Sequence, residues 1–363
     1  MNFKRFGRTA AIAFVAVIAL SSCAANEGDT ASTGDNAASG LTGTLNAGGA
    51  SSQGAAQEAW VAGFQTANPD VTINYDPSGS GAGREAFIAG GSAFAGSDSY
   101  LDEDELAGVF AACAPDTKAV DLPVYISPIA VIFNVEGVDE LNLDADTLAK
   151  IFAGTITQWD DAAIVALNPD ATLPSALITA VHRSDDSGTT ENFTDYLAKA
   201  APEAWGEEAS DTFPFGGEAA PQTSGVVSAV TNGVNTIGYA DASAAGSLNT
   251  AALKVGDEFV AYTPEAAAEV VAGSPLVEGR EADDLALDLN RLTTNPEEYP
   301  LVLVSYAIVC NEYADAEQGA LVKAYVEYMA SEAGQAVAAE SAGIAPLSAE
   351  LSENVASVLA TVK

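Results

Sequence analysis

The arrangement that most restricts how this chain folds is a strand, a polar turn and a helix in immediate succession over residues 176–197. Ala176-Leu177-Ile178-Thr179-Ala180-Val181 reads as a buried strand. His182-Arg183-Ser184-Asp185-Asp186-Ser187-Gly188-Thr189-Thr190 reads as a turn, and Phe193, Tyr196 and Leu197 then recur at i, i+3 and i+4, the apolar face of a helix. The same order occurs twice more. Residues 43–52 run as a short strand into a glycine and serine turn, followed by a helix with Ala56, Trp60 and Phe64 spaced by four and stopping near Asn68-Pro69. Val71, Ile73 and Tyr75 alternate as a strand before Pro77-Ser78-Gly79-Ser80-Gly81-Ala82-Gly83 turns into a helix with Phe87 and Ile88. Phe94-Ala95-Gly96-Ser97-Asp98-Ser99 is a short strand ending in a polar turn, and residues 120–134 form a long apolar stretch broken by Pro123 and Pro128. Residues 236–240 and 300–309 are further strands. Alternating strands and helices imply α/β layers, and the lack of a fixed-period repeat argues against a solenoid.

In open α/β sheets, ligands collect at the carboxyl ends of strands, where these turns lie. The first N–H groups of a helix have no intrahelical partner and carry partial positive charge, which suits an anion. Gly188 lets backbone approach closely, Ser187 and Thr189 offer hydroxyl donors, and Arg183 offers a planar fork matched to two oxygens. The turns at Ser51-Ser52, Ser80 and Ser97-Asp98 add neutral donors, and Asp98 adds an acceptor. Taken singly, each of these is also what a helix cap or ordinary turn looks like. Arg84 is a competing cation, expected at the surface because it falls within a helix rather than at its first N–H groups.

Residues 1–22 carry Lys4, Arg5 and Arg8 ahead of an apolar run from Ala10 to Leu20, which marks a secretory signal too short to span a bilayer as a mature helix. Leu20-Ser21-Ser22-Cys23 resembles the bacterial lipobox, which implies cleavage before Cys23 and lipidation of that residue, so that the membrane is a partner through the anchor. Residues 23–40 contain no large apolar side chain beyond that cysteine and read as a flexible tether, with a reach on the order of 20 Å. Cleavage leaves 341 of the 363 residues, enough for two domains, with 10 Lys and Arg against 51 Asp and Glu. So acidic a body argues against nucleic acid and against electrostatic adhesion to anionic lipid. It does not exclude an anionic ligand, because surface carboxylates beyond a Debye length of about 8 to 10 Å are screened. Cys113 and Cys310 are the other cysteines of a chain bound for an oxidising compartment. A bridge between them is expected, worth roughly 5 kcal/mol in the chain-entropy picture, with two buried thiols as the alternative.

Read together, these segments resemble the periplasmic phosphate-binding protein of the bacterial ABC phosphate importer. The resemblance runs from about Leu41 to the C-terminus, and it is carried in order by Gly79-Ser80-Gly81, Phe94-Ala95-Gly96-Ser97-Asp98, Ile151-Phe152-Ala153-Gly154-Thr155-Ile156-Thr157-Gln158-Trp159-Asp160-Asp161 with Ala166-Leu167-Asn168-Pro169, the 183–189 turn, and Ile237-Gly238-Tyr239. It implies an α/β, two-lobed periplasmic-binding-protein fold with a hinge and a cleft between lobes. Residues 41–119 and 301–363 would form lobe I and residues 120–300 lobe II. By matched position the phosphate ligands are Ser51, Ser52, Ser80, Asp98, Arg183, Ser187, Gly188 and Thr189, with Asp185 bracing the arginine. The first turn departs from the family, having two serines in place of threonine and phenylalanine. The implied partners are inorganic phosphate and ABC permease subunits, the implied location is extracytoplasmic, and a monomer without cofactor or metal is expected.

Asp98 also carries an argument of its own. A carboxylate beside an anion is repulsive unless the ligand shares a proton, which phosphate retains at neutral pH and sulfate does not. Two other functions compete. A secreted phosphatase would use Ser187 or Ser51 as nucleophile, but a nucleophilic serine needs a base. The lone histidine, His182, is next to Arg183 on a strand and so faces away if Arg183 faces the site. No His, Cys and carboxylate cluster has metal-ligand spacing, so no catalytic residue is assigned. A binding protein for another oxyanion, such as sulfate or molybdate, is the remaining alternative.

Overall fold

The computed structural model describes residues 40–363. The expected signal segment 1–22, the expected lipidation site Cys23 and the expected tether through residue 39 lie outside the described residues.

Eleven strands form one sheet among the described residues. In chain order they are β1 (Gly43–Gly49), β2 (Val71–Asp76), β3 (Ala95–Ser97), β4 (Ala119–Asn134), β5 (Leu141–Leu143), β6 (Thr179–Arg183), β7 (Glu218–Ala220), β8 (Thr236–Asp241), β9 (Asn249–Val255), β10 (Glu258–Val260) and β11 (Val302–Cys310). The main path is β2-β1-β3-β11-β4-β8-β6-β7, with β9 branching from β4 and carrying β5 and β10. β1 lies parallel between β2 and β3, and β6 lies parallel between β8 and β7. The antiparallel pair β11 and β4 joins these two parallel groups.

β4 differs from the sequence expectation, because both prolines lie inside one continuous strand. Its first part pairs with β11 from Ala119 opposite Cys310 to Pro128 opposite Val302, and its second part pairs with β8 from Ile129 opposite Asp241. Proline has no N–H to give a ladder, so it is tolerated where the ladder is already interrupted. Pro128 stands where β4 changes partners, and Pro123 stands opposite Tyr306, at the register shift between Ser305 and Tyr306. β11 is buried along its whole length and β4 along all but its last residue, which places the core of the molecule on this crossing.

β6 also starts later and ends later than its hydrophobic run suggests. The backbone of Ala176 and Ile178 bonds instead to Trp159 and Thr157, so the ladder begins at Thr179 and extends through Arg183. Helices cover the sheet as their periodicity requires. Ala56, Trp60 and Phe64 are the buried face of the helix Gly54–Ala67, and Phe193, Tyr196 and Leu197 belong to that of the helix Gly188–Ala200. Cys113 and Cys310 are bonded to each other across 197 residues, which ties the loop after the helix Glu103–Leu106 to the end of β11.

Candidate functional site

The parallel strands deliver a polar turn at each carboxyl end. β1 leads to Ser51-Ser52, β2 to Gly79-Ser80, β3 to Asp98, β6 to the turn from Arg183 to Gly188, and β7 to Gln222-Thr223. Asp98 is where they meet, 3 % exposed. Ser52 donates to its Oδ1 at 2.6 Å, and Thr189, from the far side of the β11–β4 crossing, donates to its Oδ2 at 2.8 Å. Its backbone N–H donates to Ser80 Oγ at 3.1 Å, and Asn192 Nδ2 donates to its carbonyl at 2.7 Å. Burial pushes the Asp98 carboxyl above its ordinary value, while the hydroxyls of Ser52, Ser305 and Thr189 and the charge of Arg183 pull it back.

Arg183 is held as a fork. Nε donates to Asp185 Oδ1 at 2.9 Å and Nη2 to Asp185 Oδ2 at 2.5 Å, with the guanidinium side chain 3 % exposed. The Gln222 N–H also donates to Asp185 at 2.9 Å. Burial opposes ionisation of Asp185, but these donors and the arginine charge outweigh it and hold the carboxyl below its ordinary value. Ser187 is the N-cap of the helix Gly188–Ala200, and its Oγ accepts from the Thr190 N–H at 3.2 Å. Ser51 reaches the second parallel group through Thr223, with hydroxyl oxygens 2.9 Å apart.

Two glycines let the groups approach. A Cβ on Gly188 would lie 2.7 Å from the Asp98 Cβ. Gly79 has φ +111°, a conformation L side chains rarely adopt, and a Cβ there would lie 2.7 Å from Asp185 Oδ2. The structure thus brings Ser52, Ser80, Asp98, Gly188 and Thr189 into one cluster, sets Arg183 and Asp185 beside it, and ties Ser51 and Ser187 at its edges.

Arg84 departs from the sequence expectation. It does lie within the helix Ser80–Ile88, but it is buried and paired with Glu105 at 2.8 Å and Asp211 at 3.1 Å. His182 is buried with its ring stacked 4.3 Å from Phe213, and Nδ1 lies 2.8 Å from the Arg183 carbonyl, so its ring is engaged by an aromatic face and the backbone. Among the described residues no group of His, Cys, Asp and Glu has the arrangement of a metal site. Several partners were missed. Ser305 is one of the hydroxyls that lower the Asp98 carboxyl, Gln53 donates to Ser305 at 2.6 Å, and Asn192 bonds the Asp98 and Gly188 carbonyls. A lone hydroxyl in the apolar run Leu303-Val304-Ser305-Tyr306 and an asparagine four residues after Gly188 were the available signals.

A PBP superfamily domain model matches residues 31–333. Phosphate-binding protein PstS 3 of Mycobacterium tuberculosis (strain H37Rv) is 37% identical over 340 residues, which is 90% of this chain and 91% of that protein. The chain belongs to the phosphate-binding-protein family of the PBP superfamily. Phosphate-binding protein PstS 3 of Mycobacterium leprae is 39% identical over 291 residues, 78% of each chain. The fold of this family member matches that of a high affinity periplasmic phosphate-binding protein (PfluDING) solved with phosphate, at TM-score 0.69 and 24% identity over 87% of this chain and 93% of that one. The α/β, two-lobed architecture expected from the sequence is therefore the family's own, and the relatives are named as binding proteins, not enzymes.

Proposed function

We propose that this chain binds inorganic phosphate outside the cytoplasm and hands it to the permease of an ABC importer. The observation that carries the reading is the cluster on Asp98. A carboxylate that accepts one hydroxyl on each oxygen, Ser52 on Oδ1 and Thr189 on Oδ2, keeps lone pairs for a ligand that brings its own hydrogen. Phosphate has that hydrogen and sulfate lacks it. A buried acceptor without a donor costs about 1 to 3 kcal/mol, and more when charged, so the site selects by protonation.

In this reading the ligands are Ser51, Ser52, Ser80, Asp98, Arg183, Ser187, Gly188 and Thr189, and Asp185 fixes the orientation of the arginine fork. Lobe I comprises residues 41–119 and 301–363 and lobe II residues 120–300, with two refinements that the register supports. The first crossing falls at Pro128, where β4 exchanges β11 for β8. Residues 285–287 side with lobe I, because Leu285 donates to the Asp121 carbonyl and Leu287 to the Tyr306 hydroxyl. Two crossings make a hinge, and closure about it buries the ligand.

The same reading has residues 1–22 removed on export and Cys23 lipidated, which anchors a monomeric body to the cell membrane through the tether. No catalytic step is assigned. Calorimetry on protein stripped of ligand, with phosphate, arsenate and sulfate, tests the function: phosphate and arsenate bind and sulfate does not. Sulfate binding as tight as phosphate would make this a carrier for another oxyanion. Turnover of a chromogenic phosphate ester, lost on Ser187→Ala, would make it an enzyme. Incorporation of labelled lipid that persists in Cys23→Ser would reject the anchor.

A further inference from the structure

Arg84 is a buried guanidinium at the cleft for which the phosphate reading has no use. It lies one turn after Ser80 on the helix Ser80–Ile88, with 8 % of its side chain exposed. On its own side it donates through Nε to Glu105 at 2.8 Å and through Nη1 to Ser97 Oγ at 3.3 Å. On the far side Nη2 donates to Asp211 Oδ2 at 3.1 Å, and Glu191 is close enough to interact electrostatically. Asp211 in turn accepts the Ser187 N–H on its carbonyl at 3.0 Å. The chain of contacts therefore runs from the helix that begins at Ser80 to the loop that holds Ser187.

We propose that Arg84 and Asp211 form a cross-cleft ion pair that exists only when the lobes have met, and that this pair sets how long phosphate is retained. The proposal rests on the phosphate reading and the lobe assignment above. The chain carries a formal charge of −38, so closing its lobes brings acid against acid, here Glu191 and Asp211 against Glu105. Arg84 sits among all three and offsets that repulsion. The arginine is almost fully buried and Asp211 is 28 % exposed, so bulk salt screens the pair only in part. Contacts completed after docking govern dissociation more than association. Arg183 therefore holds the ligand, and Arg84 holds the lobes.

The test measures phosphate release by chasing bound radiolabelled phosphate with excess unlabelled phosphate, and association by rapid mixing. It uses the full soluble body and the variants Asp211→Asn, Arg84→Met and the double. Each single variant is expected to release phosphate about tenfold faster with association changed by less than about twofold. The double is expected to release no faster than Arg84→Met alone, since one pair is lost once. Ligand-free melting of Asp211→Asn is expected to match the parent, because the pair is absent from the open form. Unchanged release in Asp211→Asn, additive effects in the double, or a lowered ligand-free melting temperature with unchanged release would each overturn the proposal while leaving phosphate binding intact. A parent protein that takes up no phosphate would overturn the phosphate reading and this proposal with it.

Discussion

Replacing Gly188 with alanine tests closure, because it keeps the backbone N–H at that position and adds one methyl group where the lobes meet. The added Cβ would stand 2.7 Å from Asp98 Cβ, 2.7 Å from Ser99 Oγ and 2.8 Å from Ser80 Oγ. Carbon atoms rest about 3.5 to 4 Å apart, so roughly 1 Å of separation must open between helix and strand end. The two hydroxyls rotate away readily, but Asp98 Cβ is fixed to the end of β3 and cannot. Overpacking of this kind costs about 1 to 3 kcal/mol, and every atom met lies across the cleft, so the cost falls on the closed form. Phosphate affinity should fall roughly 5- to 150-fold, the equilibrium equivalent of that range. Calorimetry gives the dissociation constant directly, and melting with and without phosphate gives an independent reading, because the ligand-induced rise depends on the ratio of ligand concentration to that constant. The ligand-free melting temperature should stay level or rise slightly, as alanine suits a helix better than glycine. An affinity within about twofold of the parent would refute the argument, since it would mean that Gly188 and Asp98 are not in contact when phosphate is held.

Three further outcomes follow from the same geometry. Asp98→Asn should narrow the preference for phosphate over sulfate, because the amide offers a donor where the carboxylate only accepts; calorimetry that finds the ratio unchanged rejects the proton-sensing role. Arg183→Ala should weaken phosphate binding by about tenfold or more through loss of a charge-assisted fork, and unchanged affinity would reject Arg183 as a ligand. Asp241 gives a pH effect. It is fully buried at the end of β8, accepts from the Tyr125 hydroxyl at 2.9 Å, and has a second oxygen without a partner. Burial, with the charge of Asp98 added, pushes its carboxyl from 3.8 up to about 6. The folded protein therefore holds this proton more tightly than the unfolded chain, so the associated stability is complete below about pH 4 and is lost as pH rises through about 6, a swing of about 3 kcal/mol. Asp241→Asn should remove that swing, and denaturant-midpoint curves for parent and variant that run parallel from pH 4 to pH 7.5 would reject it.

Much of the fold was written in short-range pattern. The strand, turn and helix at residues 43–67, 71–88 and 179–200 needed only alternation, four-residue spacing and a run of glycine and hydroxyl residues, because helix and strand periodicity are local properties. The candidate ligands were legible for the same reason, each lying at a strand end where the sequence leaves unsatisfied donors. Pattern could not say which distant segments meet. Gln53 bonds Ser305 across 252 positions, Ser51 meets Thr223 across 172, and Arg84 reaches Asp211 across 127. Of those partners only Ser305, a lone hydroxyl in an apolar run, is marked in the sequence, and nothing there says what it meets. The prolines of β4 misled for a related reason, since a proline forbids a hydrogen bond only where a partner strand would ask for one, and the partners of β4 were unknown until the sheet was assembled. The sequence by itself determined the layer type, the position of the polar turns and the chemistry each turn offers. Tertiary structure decided that those turns converge on Asp98 and that Arg84 is buried between acids, because convergence depends on sheet order, which is fixed by the sum of many long-range contacts and by no single stretch of chain.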